Sequence, residues 1–194
     1  MRDSKKNLLP LWFGLILLAL FPGQRAWGVT LEELRRDSRL TPQRFAEYFK
    51  DFDFVFHAEV QEPETFLSSR SGDCDDFATV ADLILREKGY TPHLISVRMG
   101  KAIHVVCYID EIGGYLDYNY RNAPSRTIPC GKALPEIAAL VSKSFAMPWT
   151  SASEFSYHEG VKRLVATVLE KPTPAYALRK SYGPPKKETT LAGF

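Results

Sequence analysis

A single cysteine at the start of a predicted helix constrains the fold and the chemistry of this chain most strongly. Cys74 lies in the stretch SGDCDDFA, residues 71–78, between a loop and a series of apolar residues at helical spacing that ends near Gly89. The first-turn N–H groups of a helix have no intrahelical acceptor, so this position stabilises a thiolate and can receive an oxyanion. We therefore predict a nucleophile at Cys74; the alternative is an inert thiol. The apolar residues of the helix are Phe77, Ala78, Ala81, Ile84 and Leu85.

The two ends of the chain differ in composition from the part between them. Residues 1–28 have the pattern of a signal peptide, with a basic start, an apolar core at residues 11–21 and small residues before a predicted cleavage site after Gly28. A retained membrane anchor is the alternative, but the apolar run is shorter than the ~20 residues of a spanning helix. Residues 171–194 are rich in proline and lysine and are predicted to form a disordered tail. We expect an exported protein, periplasmic or secreted, with one domain at residues 29–170.

The charge of the chain argues against nucleic acid as a partner. Residues 1–28 contain four basic residues and one acidic residue, so leaving them out changes the net charge from +2 to −1. Binding to phosphates needs a concentrated basic face, which a chain of this charge does not supply. No stretch after Gly28 is predicted to span a membrane. We expect a protein or peptide substrate as the partner, and a monomer.

The chain contains three cysteines, so at least one thiol is unpaired within a monomer. Cys74 is the candidate for the free thiol. Cys107 and Cys130 form a disulfide or remain reduced, and the sequence leaves both open. A zinc site is not expected, because no two cysteines lie at the close spacing that zinc sites use.

Several further elements are predicted from local signals. Helices are expected at residues 30–36, 41–49 and 135–141. Residues 155–169 are expected to form a hairpin that turns at residues 158–160, with a helix as the alternative. A cluster of aromatic residues is interpreted as core, with a ligand-binding stripe as the alternative. The cluster consists of Phe45, Tyr48, Phe49, Phe52, Phe54 and Phe56.

A predicted hairpin brings a histidine close to an aspartate. Residues 94–98, 103–109 and 115–120 are predicted to be antiparallel strands, and residues 110–113 form the turn between the last two. A four-residue turn pairs Ile109 with Gly114, which places His104 diagonal to Asp117 on one face. A slip of one residue would separate them onto opposite faces. Cys74, His104 and Asp117 would then supply a nucleophile, a general base and a group that orients the base.

The motifs GDCDDFA at 72–78, LREKGY at 85–90, HVV at 104–106 and YLD at 115–117 resemble the core of the transglutaminase-like superfamily. The resemblance is strongest to bacterial transglutaminase-like cysteine proteinases. It implies an α+β fold with a papain-like core, in which the nucleophile helix packs on an antiparallel β-sheet. It also implies a catalytic triad of Cys74, His104 and Asp117.

The chain departs from the family pattern near the expected active site. Valines occupy positions 105 and 106, where relatives commonly have an aromatic residue after the histidine, and Val60 replaces a tryptophan that precedes the approach to the cysteine. The sequence does not decide whether Gln61 or His57 is the second hydrogen-bond donor to the oxyanion, beside the Cys74 N–H.

The function expected from the residues and the resemblance is a thiol hydrolase or peptidase. It would act on peptide or amide bonds through a thioester acyl-enzyme; transamidation of protein glutamine uses the same chemistry, and cell-wall peptides are one substrate class. The alternative from a different class is a catalytically silent binding module. No cofactor is expected to be required. Asp73, Asp75 and Asp76 are interpreted as helix-start carboxylates, and calcium held there, as in some periplasmic relatives, is the alternative.

Overall fold

The computed structural model describes residues 29–158 and 160–170. The predicted signal peptide at residues 1–28 and the predicted tail at residues 171–194 lie outside the described residues. The described part of the chain is an α+β protein, in which helices pack on an antiparallel sheet. None of its helices is both long and apolar enough to cross a membrane.

The helices, in chain order, are α1 (Leu31–Arg36), α2 (Pro42–Tyr48), α3 (Pro63–Ser69), α4 (Cys74–Glu87) and α5 (Leu134–Phe145). The strands are β1 (Asp53–Phe54), β2 (Ser71–Gly72), β3 (Pro92–Met99), β4 (Ala102–Ile109), β5 (Gly114–Leu116), β6 (Ile128–Pro129), β7 (Ser151–His158) and β8 (Val161–Leu169). β1 and β2 form a short parallel pair, and the other six strands form one sheet in the order β6-β5-β4-β3-β7-β8. The predicted helices and the second hairpin are confirmed.

The helix that begins at Cys74 is fixed at both ends by local interactions. Asp73 is the N-cap, and it forms a capping box in which its side chain accepts from the first turn while Asp76 accepts from the Asp73 N–H. Beyond the other end, Gly89 adopts φ +86°, a conformation that favours glycine. The predicted start and stop of this helix are confirmed.

The register of the β4–β5 hairpin is the predicted one, since Ile109 pairs with Gly114 and Cys107 with Leu116. The predicted strand at residues 115–120 is wrong in its second half, where Tyr118–Tyr120 forms a 3-10 turn. The reason is local, because the Asp117 carboxylate accepts the Asn119 N–H at 2.8 Å and so caps a turn.

Two apolar layers cover opposite faces of the sheet. On one face α4 packs on Leu94 of β3 and on Cys107 of β4, together with α1, α2 and α3. On the other face α5 packs on Val106, and Cys130 adjoins this second layer. Cys107 and Cys130 therefore belong to different layers, and all three cysteines are free thiols.

The predicted aromatic core is right in part. Phe45, Phe49 and Phe52 are buried, and their rings pack with one another and with α3 and α4. The prediction is wrong for Phe54 and Phe56, which are exposed. Phe54 ends β1 and Phe56 follows it, and both rings line a cleft instead of packing in the apolar layer.

Candidate functional site

A cleft of about 710 Å³ opens beside the first turn of α4. Cys74 and His104 both line it, and Phe145 at the end of α5 closes one side. Asp117 does not line the cleft, because its side chain is buried behind the imidazole of His104. Other lining residues are Phe54, Phe56, His57, Asp73, Asp75, Lys101, Ile103, Asn119 and Lys162.

Cys74 is the first residue of α4 and is half-buried, so its thiol is accessible from the cleft. The chain reaches this position through Gly72, which has no space for a side chain. A Cβ there would lie 2.5 Å from Asp76 Oδ2, 2.6 Å from a Phe66 ring carbon and 2.8 Å from Gln61 Nε2. This close packing fixes the backbone that presents the thiol.

His104 and Asp117 form a buried pair. Nε2 of His104 lies 2.9 Å from Oδ1 of Asp117, and only 4% of the histidine and 1% of the aspartate are exposed. The His104 ring packs against the Phe145 ring, with 4.8 Å between centroids. Because Asp117 engages Nε2, Nδ1 is the ring nitrogen left for the Cys74 thiol.

The imidazole of His104 holds its proton strongly. Burial alone would lower its pKa, but the hydrogen bonds and charges of Asp117 and Cys74 outweigh burial and raise the pKa of His104 to about 10. At neutral pH the ring is therefore a cation beside the thiol. A cation in this place favours the thiolate, the form that attacks carbonyl carbon.

Asp117 is itself held in place by the turn that follows it. Its Oδ1 also accepts the Asn119 N–H at 2.8 Å. Its Oδ2 has no hydrogen-bond partner within the described residues. The carboxylate is thus positioned by backbone and directed at one nitrogen of His104, which fixes the orientation of the ring.

The structure separates the two side chains left open as oxyanion donors. Gln61 donates its side-chain N–H groups to Ser71 O at 3.0 Å and to Asp76 Oδ2 at 2.8 Å, so both are occupied. His57 lines the cleft, and its Nε2 is buried without a partner among the residues described. Its backbone N–H donates to Asp73 Oδ2 at 2.9 Å, which ties His57 to the cap of α4.

The three acids around Cys74 could hold a metal ion, because each offers an oxygen within 4.8 Å of the others. Two of them already have structural roles. The carboxylate of Asp73 accepts two backbone N–H groups, and that of Asp76 also accepts two, in addition to the Gln61 amide. Burial, followed by the hydrogen bond and charge of Asp73, raises the pKa of Asp75 to about 7. The hydrogen bonds of Asp73 and Asp76 support their role as carboxylates that stabilise the start of α4. Calcium binding stays a prediction.

Sequence reasoning named the three residues that meet here but missed part of their surroundings. The hairpin register brings His104 to Asp117 as predicted, and the packing of α4 on the sheet brings Cys74 to His104. Phe145 and Lys162 were missed, because they come from α5 and β8 and carry no local signal that links them to residue 104.

In comparisons with known proteins, no family model matches the chain, and no curated protein matches it at a significant level. The resemblance to the transglutaminase-like superfamily therefore rests on the motifs quoted above.

Proposed function

We propose that this protein is a cysteine hydrolase or peptidase of the transglutaminase-like kind, exported from the cell, that acts on peptide or amide bonds. The observation that carries the proposal is His104 held between Asp117, at 2.9 Å, and the thiol of Cys74 at the start of α4. A buried, charged imidazole next to an accessible thiol is a costly arrangement that packing alone does not require. Intact nucleophile, base and orienting acid argue against a silent binding module.

The proposed reaction begins with the Cys74 thiolate, whose Sγ attacks the carbonyl carbon of the substrate. The carbonyl oxygen becomes an oxyanion and accepts hydrogen bonds from the Cys74 N–H and from His57 Nε2. As the intermediate collapses, the carbon–nitrogen bond breaks and His104 gives its proton to the leaving amine. The product of this half is a thioester on Cys74, together with neutral His104.

In the second half, His104 removes a proton from water, and the hydroxyl attacks the thioester. Collapse of this intermediate releases a carboxylic acid and restores the thiolate and the imidazolium. An amine in place of water would give transamidation by the same steps, which is the alternative activity. Asp117 keeps Nδ1 of His104 pointed at the sulfur in both halves.

The fold assignment within the α+β class belongs to the same proposal. Papain-like and transglutaminase-like cores have a nucleophile at the first turn of a helix, a histidine on one strand and an aspartate after the neighbouring strand. Cys74 on α4, His104 on β4 and Asp117 after β5 have these positions, which supports the assignment. The helix packs on the antiparallel sheet through Val105 and Cys107.

The proposal is tested by trapping the acyl-enzyme. The protein, Cys74→Ser and His104→Ala are mixed with a reactive acyl donor such as p-nitrophenyl acetate, and the intact mass is followed over time. We expect one acetyl group on Cys74 that is later lost to water, no thioester in Cys74→Ser, and acylation slowed about 10²-fold or more in His104→Ala. Acylation of Cys74 at an unaltered rate in His104→Ala would reject the triad and favour the binding module.

A further inference from the structure

A second depression adjoins the candidate active-site cleft, on the face of the sheet that α4 covers in part. α4 covers the part of this face that contains Leu94 and Cys107. Beyond the helix, the face is open and forms a groove of about 310 Å³, here named the distal groove. Its lining includes Ser96, Arg98, Ile103, Ser153, Lys162 and Leu164.

The distal groove is continuous with the cleft of Cys74. Ile103 and Lys162 line both depressions, so the two adjoin at these side chains. Ile103 on β4 immediately precedes His104 and is 50% exposed. An extended chain that is bound at Cys74 therefore has a path along the sheet into the distal groove.

The charged residues that line the distal groove are positive. Arg98 and Lys162 are its charged lining residues, and none of the described residues that line it carries a carboxylate. Within residues 29–158 and 160–170, neither cation has a carboxylate oxygen within ion-pair distance. This contrasts with Arg35, Arg44, Arg86 and Lys132, which each have an acidic partner.

Lys162 is held in a partly desolvated position. Its Nζ lies 3.8 Å from the centroid of the Phe155 ring, and burial lowers its pKa, while the charge of Asp75 acts in the opposite direction. A cation that has lost part of its water gains more from an anionic ligand than a fully hydrated one does. The hydroxyls of Ser96 and Ser153 in the same groove bond within the protein, to Ser153 O at 3.4 Å and to Thr167 Oγ1 at 2.9 Å, so the two cations are the groups that pair with an anion.

We propose that the distal groove binds an acidic segment of the peptide substrate, whose carboxylate side chains pair with Arg98 and Lys162 while the neighbouring part of the chain occupies the Cys74 cleft. The inference rests on the proposed function, because it names the substrate class of that site. Leu164 and Ile103, both exposed, supply apolar contact in the same groove.

The test measures peptide binding without turnover. The Cys74→Ala protein is titrated with fluorescein-labelled peptides of equal length that carry glutamate, glutamine or lysine at alternate positions, and fluorescence anisotropy is recorded. We expect the glutamate peptide to bind about tenfold or more tightly than the glutamine peptide, a difference of about 1.4 kcal/mol. The lysine peptide is expected to bind most weakly, and the preference is expected to fall between ~0.02 M and ~0.3 M NaCl.

Matched variants locate the binding. Arg98→Gln and Lys162→Gln, each in the Cys74→Ala protein, are expected to weaken the glutamate peptide about 5- to 10-fold and to leave the glutamine peptide unaffected. Arg163→Gln is the control, because Arg163 follows Lys162 on β8 and alternation directs it to the opposite face of the sheet. Thermal unfolding of each variant verifies that the fold is retained.

Two outcomes would overturn the proposal. The first is equal affinity for the glutamate and glutamine peptides, or no binding of either. The second is an equal effect of Lys162→Gln and Arg163→Gln. Either result with normal acylation of Cys74 in the unaltered protein rejects the acidic substrate class alone, whereas loss of acylation rejects the proposed function.

Discussion

Nε2 of His104 lies 2.9 Å from Oδ1 of Asp117, and both side chains are almost fully buried. The thiol on the other side of the imidazole, that of Cys74, is half-buried and lines an open cleft. The buried carboxylate of Asp117 thus holds the positive charge of His104 in place, and Cys74 presents its sulfur to the cleft beside that charge. The three residues therefore lie in the order Asp117, His104, Cys74 from the protein interior to the cleft.

Replacing Asp117 by asparagine is expected to lower the pKa of His104. The ring loses the charge that holds its proton, and an amide oxygen is a weaker acceptor than a carboxylate, while its burial, which lowers the pKa, remains. A shift of about 1–3 pH units downward is expected on nitrogen-15 NMR titration of the imidazole. The unaltered protein should keep His104 protonated at about pH 8, whereas a free histidine is neutral there.

Asn119→Ala is the control for that titration, because Asn119 donates its backbone N–H to Asp117 and alanine keeps that donor. Its His104 should titrate as in the unaltered protein. A His104 that loses its proton near the ordinary value of about 6.5 in the unaltered protein would contradict the electrostatic account of the pair.

His57→Ala is expected to impair reactions that form an oxyanion and to spare those that do not. A dipeptidyl aldehyde adds to Cys74 as a tetrahedral hemithioacetal, so its inhibition constant should rise about 10²-fold in the variant. Iodoacetamide alkylates Cys74 by displacement at a methylene carbon, and its rate should stay within about twofold. His57→Gln, which retains a donor, should recover part of the aldehyde affinity.

A loss of aldehyde and iodoacetamide reactivity to the same degree in His57→Ala would instead indicate a structural role. Gln61→Ala provides the comparison, since Gln61 donates to Ser71 and Asp76 inside the protein. It is expected to lower the melting temperature without a selective effect on the aldehyde.

Asp75→Asn is expected to stabilise the protein in a pH-dependent way. The folded protein raises the pKa of Asp75 from 3.8 to about 7, so the folded state holds this proton more strongly than the unfolded chain does. The contribution to stability is complete below about pH 4 and is lost as the pH rises through about 7.

The Asp75→Asn variant does not lose stability in this way as the pH rises. Its unfolding free energy should therefore be about 1–2 kcal/mol higher than that of the unaltered protein at about pH 8, after allowance for screening at a half-buried site. The gain should disappear at about pH 4. Urea unfolding at the two pH values measures it. An equal gain at both would show that the charge of Asp75 is not the cause.

The parts of this fold that sequence predicted are those with local causes. The helix predicted at residues 30–36, which a capping box of Thr30 with Glu33 begins, the start of α4 at Cys74 and the four-residue turn before Gly114 each depend on residues a few positions apart. The hairpin register then brings His104 to Asp117 without knowledge of any other element.

The parts that sequence missed depend on distant elements. Phe54 and Phe56 are large and apolar, as core residues usually are. The chain at the end of β1 lies at the cleft, however, so these rings are exposed there. Phe145 meets His104 only because α5 covers the second face of the sheet. The choice between Gln61 and His57 needed the positions of Ser71 and Asp76, which occupy the amide.

The most direct test of the central claim is the rate of iodoacetamide alkylation at Cys74 at about pH 7, measured by peptide mass spectrometry in the unaltered protein and in His104→Ala. The account predicts rapid alkylation in the unaltered protein, because His104 stays charged beside the sulfur. In His104→Ala, the rate should fall at least about tenfold, since the cation beside the thiol is lost. Equal rates in the two proteins would contradict the account.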